Sequence, residues 1–138
     1  MTGIIRDITQ YFCLRLKEEQ CRRDAEVWKG DFVESSVIEH VYRYWLQSTL
    51  YLHGFSGLDR ETEYPDPPPG PGGKTSCDTT AIYRKRKYWF ELKVAYWNTT
   101  YSVEELTSDI DKLKNAPEDE NKIYVVVIIN KNKDVPKI

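Results

Sequence analysis

The chain has 138 residues, 40% of them hydrophobic and 13% aromatic, with 22 acidic against 20 basic side chains and a formal net charge of −2. That is enough chain to bury a core in one domain, and too apolar and too evenly charged for intrinsic disorder. It also excludes a strongly basic nucleic-acid coat, while leaving room for a local basic patch.

The cysteines, Cys13, Cys21 and Cys77, are odd in number and form no CxxC pair, which argues against structural zinc and against a disulfide framework. Reduced thiols in a cytoplasmic protein are expected. Met1 to Gln10 carries Arg6 and Asp7 and lacks an apolar signal core, so the sequon Asn98-Thr99-Thr100 is not expected to be glycosylated. No apolar stretch is long enough to span a bilayer, and no membrane partner is expected.

In chain order, helical spacing of Ile4, Ile8, Tyr11, Phe12 and Leu16 predicts a helix over 3–27, with a solvated second half and a break at Gly30. Val33, Val37, Val41, Tyr44 and Trp45 predict a second helix over 32–52, with one apolar stripe, closed by His53-Gly54. A short strand is expected over 60–64. The stretch Pro65 to Thr75 is too rich in Pro and Gly for helix or central strand, and reads as a surface loop.

Residues 76–83 read as a second strand, Arg84-Lys85-Arg86-Lys87 as a hairpin turn, and 88–97 as a third strand. Ser102 with Glu105 has capping-box spacing, and Leu106, Ile110 and Leu113 give the following helix its stripe, which Pro117 stops. The β-branched run Ile123 to Ile129 fits a strand covered on both faces. The order is α-α-β-β-β-α-β. Three strands make a meander, and the last helix crosses over to set the fourth strand parallel to the third. One α/β domain is expected: a helical extension over 1–30, a core over 31–130 with a central mixed four-stranded sheet flanked by helices, and a tail over 131–138.

Alternation along the third strand puts Tyr88, Phe90, Leu92, Val94 and Tyr96 on an apolar face and Trp89, Glu91, Lys93, Ala95 and Trp97 on the other. With the turn centred between Lys85 and Arg86, Asp78 falls opposite Lys93. Two acids and a lysine then share one patch of sheet. Paired carboxylates are hard donors for Mg²⁺, and a neighbouring lysine can orient or deprotonate a water, which is the chemistry of phosphodiester hydrolysis.

Asp78, twelve residues, then Glu91-Leu92-Lys93 resembles the signature of the PD-(D/E)XK, or restriction-endonuclease-like, nucleases. Their αβββαβ core order is also the order read here from Phe32 to Ile129, so the resemblance covers about three quarters of the chain. It implies a metal-dependent nuclease acting on nucleic acid, DNA before RNA, with Mg²⁺ as cofactor and Mn²⁺ as its substitute. Asp78 and Glu91 would be metal ligands, with the Leu92 carbonyl a third, and Lys93 the catalytic lysine. Many members add a glutamate from the first core helix. Glu34, bordering the Val37–Val41 stripe, is preferred to Glu39. Glu63 is a further acid near the patch, and Asp109 and Lys112 flank the last helix's stripe. The Pro that the family often places before the first acid is Cys77 here.

A duplex has two strands to cut, so a homodimer is compatible with this reading. The alternative is a non-catalytic module on the same scaffold that binds nucleic acid or protein. The bland readings are a solvated Glu-x-Lys ion pair on an exposed sheet face, hydrated charges at Arg84 to Lys87, and Trp89 and Trp97 packed for burial rather than stacked on bases. His40 and His53 lack partner spacing for a metal site or a triad.

Overall fold

A computed structural model describes residues 2–25, 37–65, 76–96 and 103–129. The described elements are α1 (Thr2–Ala25), α2 (Val37–Leu52), β1 (Ser56–Glu63), β2 (Ser76–Tyr83), β3 (Arg86–Tyr96), α3 (Val103–Leu113) and β4 (Asn121–Ile129). They form two compact units, Met1–Ser56 and Gly57–Ile138. Among the described residues the class is mixed α/β, with three helices and a four-stranded mixed sheet, as the element order predicts.

In the first unit α1 packs on α2. Ile8 and Phe12 of α1 are buried one helical turn apart, and Arg15 lies over the Trp45 ring. The buried stripe of α2 is Tyr42, Leu46, Thr49 and Leu50, while Tyr44 is exposed. The sequence stripe through Tyr44 is therefore corrected: α2 has apolar residues nearly all round, and spacing alone does not choose among overlapping stripes. Its end is a Schellman-type cap. Gly54 takes φ 91°, and the Phe55 N–H donates to the Leu50 carbonyl at 3.0 Å. His53 is part of that end, its Nδ1 2.8 Å from the Thr49 carbonyl oxygen.

In the second unit the strand order is β1-β2-β3-β4. β2 and β3 are antiparallel, β3 and β4 are parallel, and α3 packs on both β3 and β4. β1 is a mostly exposed edge strand, tied to β2 by a 2.7 Å contact between the Thr62 and Thr80 hydroxyls. It starts four residues earlier than the sequence indicates. Gly57, at φ +57°, opens it, and an added Cβ there would meet Ile82 at 3.2 Å.

The β2–β3 connection is a two-residue turn. Arg84 and Lys85 both hold positive φ, 49° and 66°, and Tyr83 pairs with Arg86. Such a turn matches the twist of the flanking strands but favours Asn-Gly, and each L-residue held there costs about 1–2 kcal/mol. The turn centre thus lies between Arg84 and Lys85, one residue before the position read from the sequence. The whole register slides by two. Thr79 pairs with Phe90, which sets Asp78 level with Glu91 instead of Lys93. A slide of two keeps every side chain on its predicted face.

β3 is buried on both faces over Tyr88, Trp89, Phe90, Glu91 and Leu92. The face expected to be polar is in fact a packed layer. Trp89 stacks on Tyr64 with ring centroids 5.2 Å apart, and Leu113 and Ala116, at and just beyond the end of α3, close over them with Cys77. Lys87 lies over the Trp89 ring at 4.7 Å, and Trp89 Nε1 donates to Glu120 Oε1 at 3.3 Å. Trp89 therefore serves packing. Trp97 lies outside the described residues.

Candidate functional site

Glu91 sits in the middle of β3 and is only 4% exposed. A carboxylate in such a place needs donors, or a proton. Tyr64, the residue after β1, supplies one donor: its Oη donates to Glu91 Oε1 at 2.7 Å. Asp78 is the second neighbour, its side chain within hydrogen-bonding reach of Glu91. Burial pushes the Glu91 carboxyl up from its ordinary 4.5 to about 7. The Asp78 charge adds to the rise, and the Tyr64 hydroxyl and the Lys112 ammonium oppose it. Near neutral pH the Glu91 carboxyl is thus poised to take up or release a proton.

Asp78 is fixed from its other side. The regular ladder ends at Thr79↔Phe90, and one step further the Leu92 N–H donates to Asp78 Oδ2 at 2.8 Å. A side chain here takes the place of a backbone acceptor. That satisfies Leu92 and pins the carboxylate against β3.

Lys93 is half-buried and shares the Glu91 face by strand alternation. It pairs in register with Val126 of β4, and Glu91 with Tyr124. Tyr124 Oη donates to Asp109 Oδ2 at 2.9 Å, and Lys112 Nζ stands 3.9 Å from Asp109 Oδ1. The i, i+3 pair on α3 therefore forms, but it is not merely solvated: Tyr124 anchors its acid to β4, and its ammonium favours the ionised form of Glu91.

Two participants carry no charge in the sequence and were missed. In the sequence Tyr64 reads as the end of a strand, and Cys77 as a reduced thiol and a departure from a family pattern. Cys77 is fully buried, and its Sγ donates to the Phe90 carbonyl at 3.1 Å. Burial pushes its thiol up to about 12, and burial with the Cys77 and Glu91 contacts holds the Tyr64 hydroxyl far above its usual range. Both stay protonated, as donors must. The only signal for them was position: Tyr64 directly follows β1, and Cys77 directly precedes Asp78 within β2.

The structure thus brings Asp78, Glu91, Leu92 and Lys93 together and adds Tyr64, Cys77 and Lys112. Glu63, next to Tyr64, is exposed on the edge strand instead. Glu34 lies outside the described residues. Among the described residues no group of three or more His, Cys, Asp and Glu side chains is arranged to hold a metal ion, so any ion here would rest on two carboxylates and backbone or water oxygens. Among the same residues no helix is long and apolar enough to cross a membrane. Comparison with protein-family models, with curated proteins and with solved structures yields no match.

Proposed function

We propose that this chain is a metal-dependent nuclease with a restriction-endonuclease-like core, hydrolysing phosphodiester bonds of DNA. One observation carries the reading: Asp78 on β2 stands level with the buried Glu91 on β3, with a lysine two residues on along the same face. The helix-strand-strand-strand-helix-strand order around them, and the parallel last strand, support it.

The donor set fits a hard divalent cation. A buried carboxyl raised by desolvation and by a neighbouring acid is relieved by positive charge placed beside its oxygens. Asp78 and Glu91, with the Leu92 carbonyl, would hold Mg²⁺ or Mn²⁺, which when bound neutralises charge on the phosphoryl group and lowers the pKa of a coordinated water.

The rest is the work of this chain's own side chains. Tyr64 and the Leu92 N–H fix one oxygen of each acid, so the carboxylates need not reorganise on binding. Lys93 Nζ offers donors to a non-bridging phosphoryl oxygen and orients the attacking water. Water adds to phosphorus, the bond to one ester oxygen breaks, and the products are a phosphate monoester and a free hydroxyl. Trp89 and Leu113 keep bulk water from the back of the acid pair.

The test is cleavage of plasmid and linear DNA with Mg²⁺ or Mn²⁺. Asp78→Asn and Lys93→Ala should each lower the rate by about 10²–10⁴-fold. Cutting that persists in EDTA, or that both variants retain, would reject the site.

A further inference from the structure

We propose that the tip of the β2–β3 hairpin, Arg84-Lys85-Arg86, is a second contact site that grips the phosphate backbone of duplex DNA away from the acid pair. The proposal rests on the nuclease reading for its ligand, but its evidence is separate. Arg84, Lys85 and Arg86 are exposed, and Lys87 is half-buried. Among the described residues none of the four is in an ion pair.

The backbone adds a second observation. Arg84 and Lys85 occupy the two turn positions where φ is positive and where Asn-Gly is the easy choice. The chain keeps two long cations there at a cost to the turn, and strain of that kind collects where a side chain is needed for something other than folding. The tip is also stiff. Its loop is two residues long, the Arg84 guanidinium lies 5.2 Å from the centre of the Tyr83 ring, and Lys87 lies over Trp89. Cations held in place lose less freedom on binding than cations on a floppy loop.

Geometry connects the tip to the acids. Arg86 and Glu91 lie on the same strand five residues apart, which at strand rise is roughly 17 Å. Along a duplex that distance is roughly five base pairs. Lys87, four residues from Glu91 and on its face, and the turn just beyond it lie within about half a helical turn of a duplex that sets one phosphate at the acid pair.

The surroundings choose the direction of approach and the kind of partner. Because Tyr88 pairs with Asn121, the turn before β4, with exposed Glu118 and Asp119, lies on the β4 side of the tip. A flat anionic membrane touching the tip would also press on these two acids. A cylinder laid along the hairpin can touch the cations and stand clear of the acids, which favours a duplex.

The experiment is anisotropy of a short labelled duplex in EDTA, so that nothing is cut, across a range of salt. The variant is Arg84→Asn/Lys85→Gly. It should bind at least about tenfold more weakly, with a plot of log affinity against log salt shallower by about 2, since two phosphate contacts are gone. It should melt no lower than wild type, because Asn-Gly relieves the turn. Opposite movement of affinity and stability is the signature of a functional tip. Glu118→Gln/Asp119→Asn should bind more tightly than wild type. Unchanged affinity and salt slope in the Asn-Gly variant, with wild type binding normally, overturns the tip site and leaves the nuclease reading standing. A wild type that binds no duplex, with or without Mg²⁺, overturns both. Tip-dependent binding to phosphatidylserine vesicles without duplex binding also overturns the proposal.

Discussion

The two ends of one hairpin treat charge in opposite ways. At the turn, Arg84, Lys85 and Arg86 stand in water on a strained backbone. A few residues along, Glu91 is buried, hydrogen-bonded by Tyr64, and raised to about 7. What differs is what each charge can find nearby. The tip cations are satisfied by water and are available to an outside anion. The inner acid has one hydroxyl donor, Tyr64, and one rival acid, and becomes responsive to protons and to cations. Charges that look alike in a sequence string therefore do different work according to the solvent around them.

The largest expected contrast is in packing. Phe90→Ala, at a site with no exposure, should destabilise the fold by about 3–5 kcal/mol in urea or thermal melts. A loss under about 1 kcal/mol would mean that the inner end is not packed as described.

Next is Glu91→Gln, whose effect should have the opposite sign. The folded pKa of about 7 lies above the ordinary 4.5, so between these values the folded chain binds more protons than the unfolded one. The contribution of Glu91 to stability is fullest below pH 4.5, falls as pH rises through about 7, and by pH 8 has dropped by about 3 kcal/mol. The amide carries no charge, so the variant should melt higher than wild type at pH 8, match it more closely near pH 4.5, and lose this slope between. Mg²⁺ should stabilise wild type at pH 8 and not the variant. A stability difference between wild type and Glu91→Gln that stays flat across this window would sink the buried-acid description.

A smaller effect is expected of Tyr64→Phe, which keeps the ring on Trp89 and removes one donor. Hydrogen bonds to charged groups contribute about 1.5–3 kcal/mol, so the loss should be of that size at pH 8 and smaller at pH 5, where Glu91 is neutral. A carbon-13 titration of the Glu91 carboxyl should show its pKa moving further up. Smallest of all, Arg86→Ala at the exposed end should stay within about 0.5 kcal/mol of wild type. A larger loss there would erase the distinction between the two ends.

Much of this was legible in the sequence. The element order, the limits of β2, the parallel β-branched β4 and the facing of Glu91 with Lys93 all follow from spacing and composition. The register did not, because Arg-Lys carries none of the turn signals that Asn-Gly would. A turn centre misplaced by one residue moved Asp78 from Glu91 to Lys93. The buried stripe of α2 was missed for a different reason, since Tyr42 and Tyr44 look equally apolar and only packing separates them. Tyr64 was invisible as a partner of Glu91 because it lies 27 positions away along the chain and the contact exists only once β1 sits on the sheet edge.

One bond described above has a use of its own. The amide proton of Leu92 points at a carboxylate, not at a neighbouring strand's carbonyl. Its nuclear magnetic resonance line should sit well downfield, exchange slowly with deuterated solvent, and move when a cation draws charge from Asp78. A single resonance in a 138-residue chain would then report occupancy of the acid pair directly, with no substrate in the tube.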